Sequence, residues 1–331
     1  MSDVVVVGAG AWGCTFARVA ALAGARVSLA CRTADQAAVL RDTRHDRIHL
    51  GDVALPEQVR VTHVDDPAAF DGATMVVIAL PSRVVAEQAG RIAGRIPAGA
   101  GVLSLTKGLE PGTGRVLSEA WGDVLPPGTP FAVLSGPNHA EEIAAGQPAA
   151  AVVSGHPGLA ERVQQAVSGP AFRVYVNDDL VGVELCGAAK NVIALAAGMS
   201  DGLGFGDNAK AALITRGLAE MGRLGAQAGA RDATFRGLAG MGDLIATCTS
   251  RHSRNRRAGE LIARGMPAAS VEQEVGQVVE GVATVQALMA RAREAGVELP
   301  ISEQVEAAVF EGRSPEECLR SLMSRAPANE A

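Results

Sequence analysis

Of the thirty basic side chains in this 331-residue chain, three are lysine, Lys107, Lys190 and Lys210, and the rest are arginine. A guanidinium keeps its proton at any accessible pH, whereas an ammonium can release one, and does so more readily when buried. A chain that fills generic cationic positions with arginine keeps lysine where proton transfer is wanted. Lys107 closes the apolar run Gly101-Val-Leu-Ser-Leu-Thr-Lys107-Gly, and Lys190 interrupts the apolar stretch Val183-Glu-Leu-Cys-Gly-Ala-Ala-Lys190-Asn191-Val-Ile-Ala. Lys210 reads as incidental. Lys190 either snorkels to solvent or is buried, and a buried ammonium must be paired, hydrogen-bonded or neutral. Asn191 offers amide hydrogen bonds, and Asp243, in Gly240-Met-Gly-Asp243-Leu-Ile-Ala-Thr247, offers a counter-charge. Thr247 is placed in the same site. A lysine held this way can donate a proton to a developing alkoxide.

A basic knot follows at Arg251-His-Ser-Arg254-Asn255-Arg-Arg257. Guanidinium binds phosphate bidentately, and Ser253, Arg254 and Asn255 fall where a helix should start, which adds free backbone N–H groups. Arg251, Arg256 and Arg257 read as a solvated face. The motif Gly276-Gln-Val-Val-Glu280-Gly281 suggests no chemistry by itself. His45 and His49 are four residues apart, but no third ligand accompanies them, so no metal site is expected. His139 has no evident orienting partner.

At the N-terminus, Val4-Val-Val-Val7 runs into Gly8-Ala-Gly10-Ala-Trp12-Gly13 and then a helical pattern. Between a strand and a helix this spacing is a dinucleotide fingerprint. Gly8 permits the tight turn, Gly10 admits the pyrophosphate and Gly13 lets the helix pack on the strand. Trp12 lines the cofactor cleft or packs in the core. The second strand ends at Arg32-Thr33, which suits a 2′-phosphate, with Asp35 nearby as the alternative ribose ligand. NADP is therefore expected, with NAD possible. Ligands gather beyond the carboxyl ends of parallel strands, so Gly8–Gly13, Leu80-Pro81-Ser82, Thr106-Lys107-Gly108 and Ser135-Gly136-Pro137-Asn138 should converge.

The elements that must position these residues divide in two. Strand candidates are 4–7, 26–30, 59–62, 74–79, 101–105, 131–134, 150–154 and 172–176, separated by helical patterns such as 11–23, 83–95 and 113–120. That alternation predicts an α/β Rossmann-like, doubly wound, mostly parallel sheet as a dinucleotide-binding domain, 1–177. Residues 178–331 read as an all-α substrate and catalytic domain with helices at 180–199, 209–228, 253–264, 271–274, 282–295, 302–310 and 315–324. Glycine-rich joints are expected at 201–206 and 237–242, and the tail past Arg325 as frayed. Apolar residues make up 48% of the chain and charged residues 20%, so burial is ample and disorder is not expected. A net charge of −6 excludes the basic footprint of a nucleic-acid binder. Five scattered cysteines without a Cys-x-x-Cys suggest a reducing compartment. The first apolar run leads into a glycine turn, so no signal peptide is expected. Residues 181–199 contain Glu184, Lys190 and Asn191, which are costly in lipid, so a buried helix is expected rather than a membrane span. A cytoplasmic protein follows.

Together these residues resemble the bacterial-type NAD(P)-dependent glycerol-3-phosphate dehydrogenases. The likeness rests on Gly8–Gly13, Lys107-Gly-Leu-Glu, Ser135-Gly-Pro, Phe172-Arg-Val-Tyr, Ala189-Lys-Asn-Val-Ile-Ala, Asn208-Ala-Lys-Ala-Ala-Leu-Ile-Thr-Arg-Gly-Leu-Ala-Glu, Gly242-Asp-Leu, Ser253-Arg-Asn-Arg and Val278-Val-Glu-Gly. The resemblance implies that Lys190 is the general acid/base and that Lys107 contacts substrate and cofactor. It implies that Gly136, the residue at Asn138, Asp243, Ser253, Arg254 and Asn255 surround the glycerol phosphate, and Asn191 and Thr247 are counted with them as substrate-site candidates. The nucleotide positions are Ala11, Trp12, Arg32, Ala140, Val278 and Glu280, joined by Thr33 and Arg254. Three features depart from the family pattern: Ala11 and Asn138 stand where Ser, or Ser or Thr, are usual, and Ile48-His-Leu-Gly-Asp-Val lacks the usual Leu-Pro. The expected reaction interconverts dihydroxyacetone phosphate and sn-glycerol 3-phosphate for glycerophospholipid synthesis, in a homodimer. Lys190 is expected to face the nicotinamide across the gap between the domains. The rival readings are a paralogue reducing another phosphorylated ketone or hydroxyacid, and a non-catalytic NADP-binding sensor.

Overall fold

The valines that open the chain alternate between two cores. In a computed structural model describing residues 3–325, Val4 and Val6 pack in one apolar cluster and Val5 and Val7 in another, as successive strand side chains must. The tail past Arg325 lies outside the described residues. Among the described residues eight strands form one sheet: β1 (Asp3–Val7), β2 (Arg26–Cys31), β3 (Arg60–His63), β4 (Met75–Ile78), β5 (Gly101–Ser104), β6 (Phe131–Ser135), β7 (Ala149–Gly155) and β8 (Phe172–Asn177). Their order is β3-β2-β1-β4-β5-β6-β7-β8. Every pairing is parallel except β6 with β7. A buried parallel sheet needs cover on both faces. Helices of the first half provide it: α1 (Ala11–Leu22), α2 (Ala34–Thr43), α3 (Ser82–Ala93), α4 (Leu117–Gly122), α5 (Ala140–Ala144) and α6 (Pro157–Val167). Phe16, Leu40, Ile143 and Val163 close one face, and Val85, Ile92, Leu117 and Trp121 the other. Each fully buried valine or leucine contributes roughly 1.5–3 kcal/mol.

The chain divides into two compact units. The first comprises Met1–Lys107 and Val116–Glu184, and the second Gly108–Arg115 and Leu185–Ala331. The boundary between these units falls at 184/185, inside a helix, and the short 108–115 segment counts with the second unit. Among the described residues no strand of the sheet falls in the second unit, whose α-helices are the continuation of α7 (Leu180–Gly202), then α8 (Asp207–Gln227), α9 (Asp232–Arg236), α10 (Asp243–Thr249), α11 (Arg254–Ala263), α12 (Val271–Val275), α13 (Glu280–Glu294), α14 (Pro300–Phe310) and α15 (Pro315–Met323). By length and composition α7 could cross a membrane, but 83% of its apolar window is buried.

Two expectations fail locally. The helix expected over 113–120 begins only at Leu117. Gly112 (φ 82°) and Gly114 (φ 71°) hold the preceding chain left-handed, a conformation glycine adopts freely and a right-handed helix cannot include. The joint expected at 237–242 is itself helical, one π-turn over Leu238–Gly242 in which Gly242 N–H donates to Gly237 O at 3.1 Å. Such single turns sit inside or beside α-helices, and this one feeds directly into α10 and so sets where Asp243 starts.

One carboxylate in the first turns of α7 carries a pH dependence. Glu184 accepts from Ser118 N–H at 2.8 Å and from its hydroxyl. Burial raises its pKa from 4.5 to about 7, against the lowering effect of the Ser118 bonds and with a small push from Glu119. The fold therefore resists ionisation that the unfolded chain accepts. Stability from this site is full below about pH 4.5 and is lost as pH rises through about 7. The loss should be on the order of 3 kcal/mol. Thermal melts of wild type and Glu184→Gln at pH 5 and pH 8 check this. Wild type should lose ground to the variant at pH 8, and parallel pH curves would rule it out.

Candidate active site

In the first unit, parallel pairing puts the carboxyl ends of β1, β4, β5 and β6 along one edge, and their loops interlock there. Gly8 takes φ 108°, and a Cβ on it would sit 2.5 Å from Ala79 O. A Cβ on Gly13 would lie 1.9 Å from Gly8 O, so α1 can pack on the loop only through glycine. Gly10 differs: nothing lies within 4 Å of where its Cβ would stand. The protein's own packing does not require glycine there, but a ligand approaching the backbone would. Gly10 N-caps α1 with no side-chain cap, which leaves the first-turn N–H groups of Ala11, Trp12 and Gly13 for an anion. These features fit a dinucleotide pyrophosphate.

Around that loop, Trp12 packs edge-on to Phe16 and Phe172, both at 6.3 Å between ring centres. Its Nε1 is buried without a partner among the described residues. Thr15 Oγ1 donates to Ala140 O at 3.2 Å, fixing the start of α5 beside α1. At the end of β2 the Arg32 side chain is exposed, while Thr33 N-caps α2 by accepting from Gln36 N–H at 3.2 Å, as threonine often does. Asp35 is exposed in the first turn of α2.

Lys107 joins two of the loops. Its ammonium donates to Gly136 O at 2.9 Å and to Asn138 Oδ1 at 2.7 Å, and Thr106 Oγ1 donates to Leu80 O at 2.8 Å. Asn138 Nδ2 is buried without a partner among the described residues, so it can donate to an incoming oxygen. His139 lies immediately before α5.

The second unit holds the other cluster. Lys190, 5% exposed, donates to Asp243 Oδ1 at 2.6 Å and to Thr247 Oγ1 at 2.9 Å. Thr247 sits one turn after Asp243 on α10 and also donates to Asp243 O at 2.6 Å. The counter-charge expected from sequence is thus in place. Asn191, next along α7, accepts from Asn255 Nδ2 at 2.9 Å and donates to Gly187 O at 3.2 Å. Ser253 N-caps α11 by accepting from Arg256 N–H at 3.2 Å, which leaves its hydroxyl proton free to donate. Arg254 is exposed and donates to Val278 O at 3.2 Å. The close fit of α7 on α11 depends on Gly198, whose Cβ would lie 1.9 Å from Arg256 O, and on Gly259, whose Cβ would lie 2.1 Å from Leu195 O.

Sequence reasoning missed a brace behind this cluster. Asp201 Oδ2 accepts from Arg256 Nε at 2.6 Å and Asp201 Oδ1 pairs with Lys210 at 2.7 Å, and Arg256 also pairs with Glu260 at 2.8 Å. Arg256, read as solvated, is 19% exposed, and Lys210, read as incidental, is 18% exposed. Helix spacing allows the Arg256–Glu260 pair, four residues apart, but no spacing rule links Asp201 to Arg256 or to Lys210. Arg257 does lie on the outer face, paired with Glu260 at 3.1 Å. His49 pairs with Asp46 at 2.7 Å, and among the described residues no three His, Cys, Asp or Glu side chains are grouped to hold a metal. None of the five cysteines is in a disulfide, and all five are buried.

A family model described as the NAD-dependent glycerol-3-phosphate dehydrogenase N-terminus matches residues 3–158, and the corresponding C-terminus model matches residues 179–320. A glycerol-3-phosphate dehydrogenase [NAD(P)+] from Thermus thermophilus is 48% identical over 327 residues, covering 99% of both chains. One of the same name from Desulfitobacterium hafniense is 45% identical over 331 residues, 100% of this chain and 93% of the relative. A crystal structure of glycerol-3-phosphate dehydrogenase from Coxiella burnetii superposes with a TM-score of 0.94 at 37% identity, covering 98% of this chain and 99% of that one. The chain belongs to the NAD-dependent glycerol-3-phosphate dehydrogenase family.

Proposed function

We propose that this NAD(P)-dependent dehydrogenase, which interconverts dihydroxyacetone phosphate and sn-glycerol 3-phosphate, uses Lys190 as its general acid/base. The observation that carries this is an ammonium 5% exposed, held at 2.6 Å by a carboxylate and linked through Asn191 to the Ser253, Arg254 and Asn255 cluster. A reduced nicotinamide, when bound, would supply the hydride that the ketone carbon accepts. Lys190 donates a proton to the ketone oxygen, and Asp243 and Thr247 fix its Nζ. Lys107 adds positive charge beside that oxygen, oriented by Gly136 O and Asn138 Oδ1. Ser253, Arg254 and Asn255 anchor the phosphate, so that binding energy remote from the carbonyl goes into orientation. In the oxidative direction Lys190 takes the proton back.

The cofactor positions are Gly8, Gly10, Ala11, Trp12, Gly13, Arg32, Thr33, Lys107, Ala140, Arg254, Val278 and Glu280, with residues 1–177 as the dinucleotide-binding part and 178–331 as the catalytic part. NADPH is preferred because the Arg32 guanidinium suits a 2′-phosphate. Arg32→Ala should raise the KM for NADPH about tenfold while leaving that for NADH nearly unchanged, the loss expected for one charge-assisted contact. Initial rates with each nucleotide check this, and equal effects on both would remove Arg32 from the 2′ site. The product feeds glycerophospholipid synthesis in the cytoplasm, and the working form is a homodimer that neither inserts in membranes nor binds nucleic acid. Lys107 and Lys190, both held by acceptors, favour catalysis over nucleotide sensing. Initial-rate assay of dihydroxyacetone phosphate with NADPH and NADH tests the reading, and nucleotide binding without turnover would overturn it.

A further inference from the structure

The motif Val278-Val-Glu280-Gly281, which suggested no chemistry in the sequence, reaches both anion-binding residues of α11. Val278 O accepts from Arg254 at 3.2 Å, and Gly281 N–H donates to Asn255 Oδ1 at 2.8 Å. Between them, Val279 N–H donates to Glu272 Oε1 at 2.9 Å, tying the turn to α12.

The bond from Gly281 decides what Asn255 shows to a ligand. An amide has an acceptor end and a donor end, and either can face outward. With Oδ1 held by Gly281 N–H and Nδ2 donating to Asn191 Oδ1, the oxygen is turned to the 278–281 turn and the second amide proton remains. Asn191 Oδ1 accepts in the same relay. The opposite orientation would set Asn255 Nδ2 against the Gly281 N–H, donor to donor, and turn an oxygen toward the phosphate.

Only glycine permits the approach. A Cβ at residue 281 would lie 2.7 Å from Asn191 O, 2.9 Å from Asn255 Oδ1 and 2.9 Å from Leu195 Cδ1. Two of these neighbours belong to the relay itself.

We propose that the 278–281 turn is the mount of the phosphate site, and that Gly281 is a positioning residue that makes Asn255 present only hydrogen-bond donors to the substrate phosphate. This rests on the reading of Ser253, Arg254 and Asn255 as the phosphate anchor.

The test is the ratio of kcat/KM for dihydroxyacetone phosphate to that for unphosphorylated dihydroxyacetone, at saturating NADPH. Partial unfolding or weakened nucleotide binding lowers both values alike and leaves the ratio unmoved. In Gly281→Ala the ratio should fall at least about tenfold, the loss expected when a hydrogen bond to a charged group is misdirected. Glu272→Ala frees the turn without adding atoms, and should lower the ratio by about threefold even if Gly281→Ala does not fold. Wild-type ratios in both variants, or in Glu272→Ala alone should the other not fold, would overturn the mount. A wild-type enzyme with no preference for the phosphorylated ketone would instead overturn the phosphate site on which it rests.

Discussion

Lys190→Ala should lower kcat about 10²–10⁴-fold, the span that general acid/base catalysis contributes. That range corresponds to about 2.7–5.5 kcal/mol of barrier. The size follows from the site's burial: with Lys190 5% exposed, Asp243 2% and Thr247 4%, bulk water cannot readily replace the lost donor. The KM for NADPH should change little, because the Lys190 ammonium is bonded to Asp243 and Thr247. Lys190→Arg sharpens the test. A guanidinium restores the positive charge beside Asp243 but does not release its proton, so turnover should remain low although the charge is back. Steady-state NADPH oxidation, with circular dichroism as the folding control, reads both variants. Recovery of turnover in Lys190→Arg would assign Lys190 an electrostatic role only.

Asp243→Ala should cost stability as well as rate. It leaves a buried ammonium with Thr247 Oγ1 as a neutral acceptor in place of a carboxylate at 2.6 Å. Breaking a buried pair from one side typically costs about 3–5 kcal/mol. For a unit of this size that is a melting shift of about 10 °C. Asp243→Asn keeps an acceptor oxygen and loses the charge, so its melting point should fall between wild type and Asp243→Ala. Calorimetry on the three proteins checks the order. An unchanged melting point in Asp243→Ala would mean that the ammonium gains as much from other groups as from this carboxylate.

The parallel sheet was legible because its cause is local. Runs such as Met75-Val-Val-Ile78 are β-branched and short, and end in residues that break the ladder, so each strand lies within a residue or so of its expected bounds. The glycine loop was legible for the same reason, since strand, turn and helix start are adjacent in the chain. Lys190 stood out as a charge among aliphatic residues, and Asp243 was its expected partner although 53 residues away. Other contacts left no local trace. Asn191 meets Asn255 across 64 residues, Gly281 meets Asn255 across 26, and Arg256 meets Asp201 across 55. Each depends on helix packing brought close by glycines, and a glycine in a helix does not reveal which neighbour it admits. The helix misplaced at 113–120 and the π-turn at 238–242 have a related cause, because glycine pairs permit several backbone paths and tertiary contacts choose among them.

The most direct test of proton donation by Lys190 is chemical rescue of Lys190→Ala by small primary ammonium ions of graded pKa. At saturating dihydroxyacetone phosphate and NADPH, turnover should be low without amine. It should rise with methylammonium concentration and vary systematically with donor pKa, as Brønsted behaviour requires. Near wild-type turnover of Lys190→Ala with no amine present would contradict it.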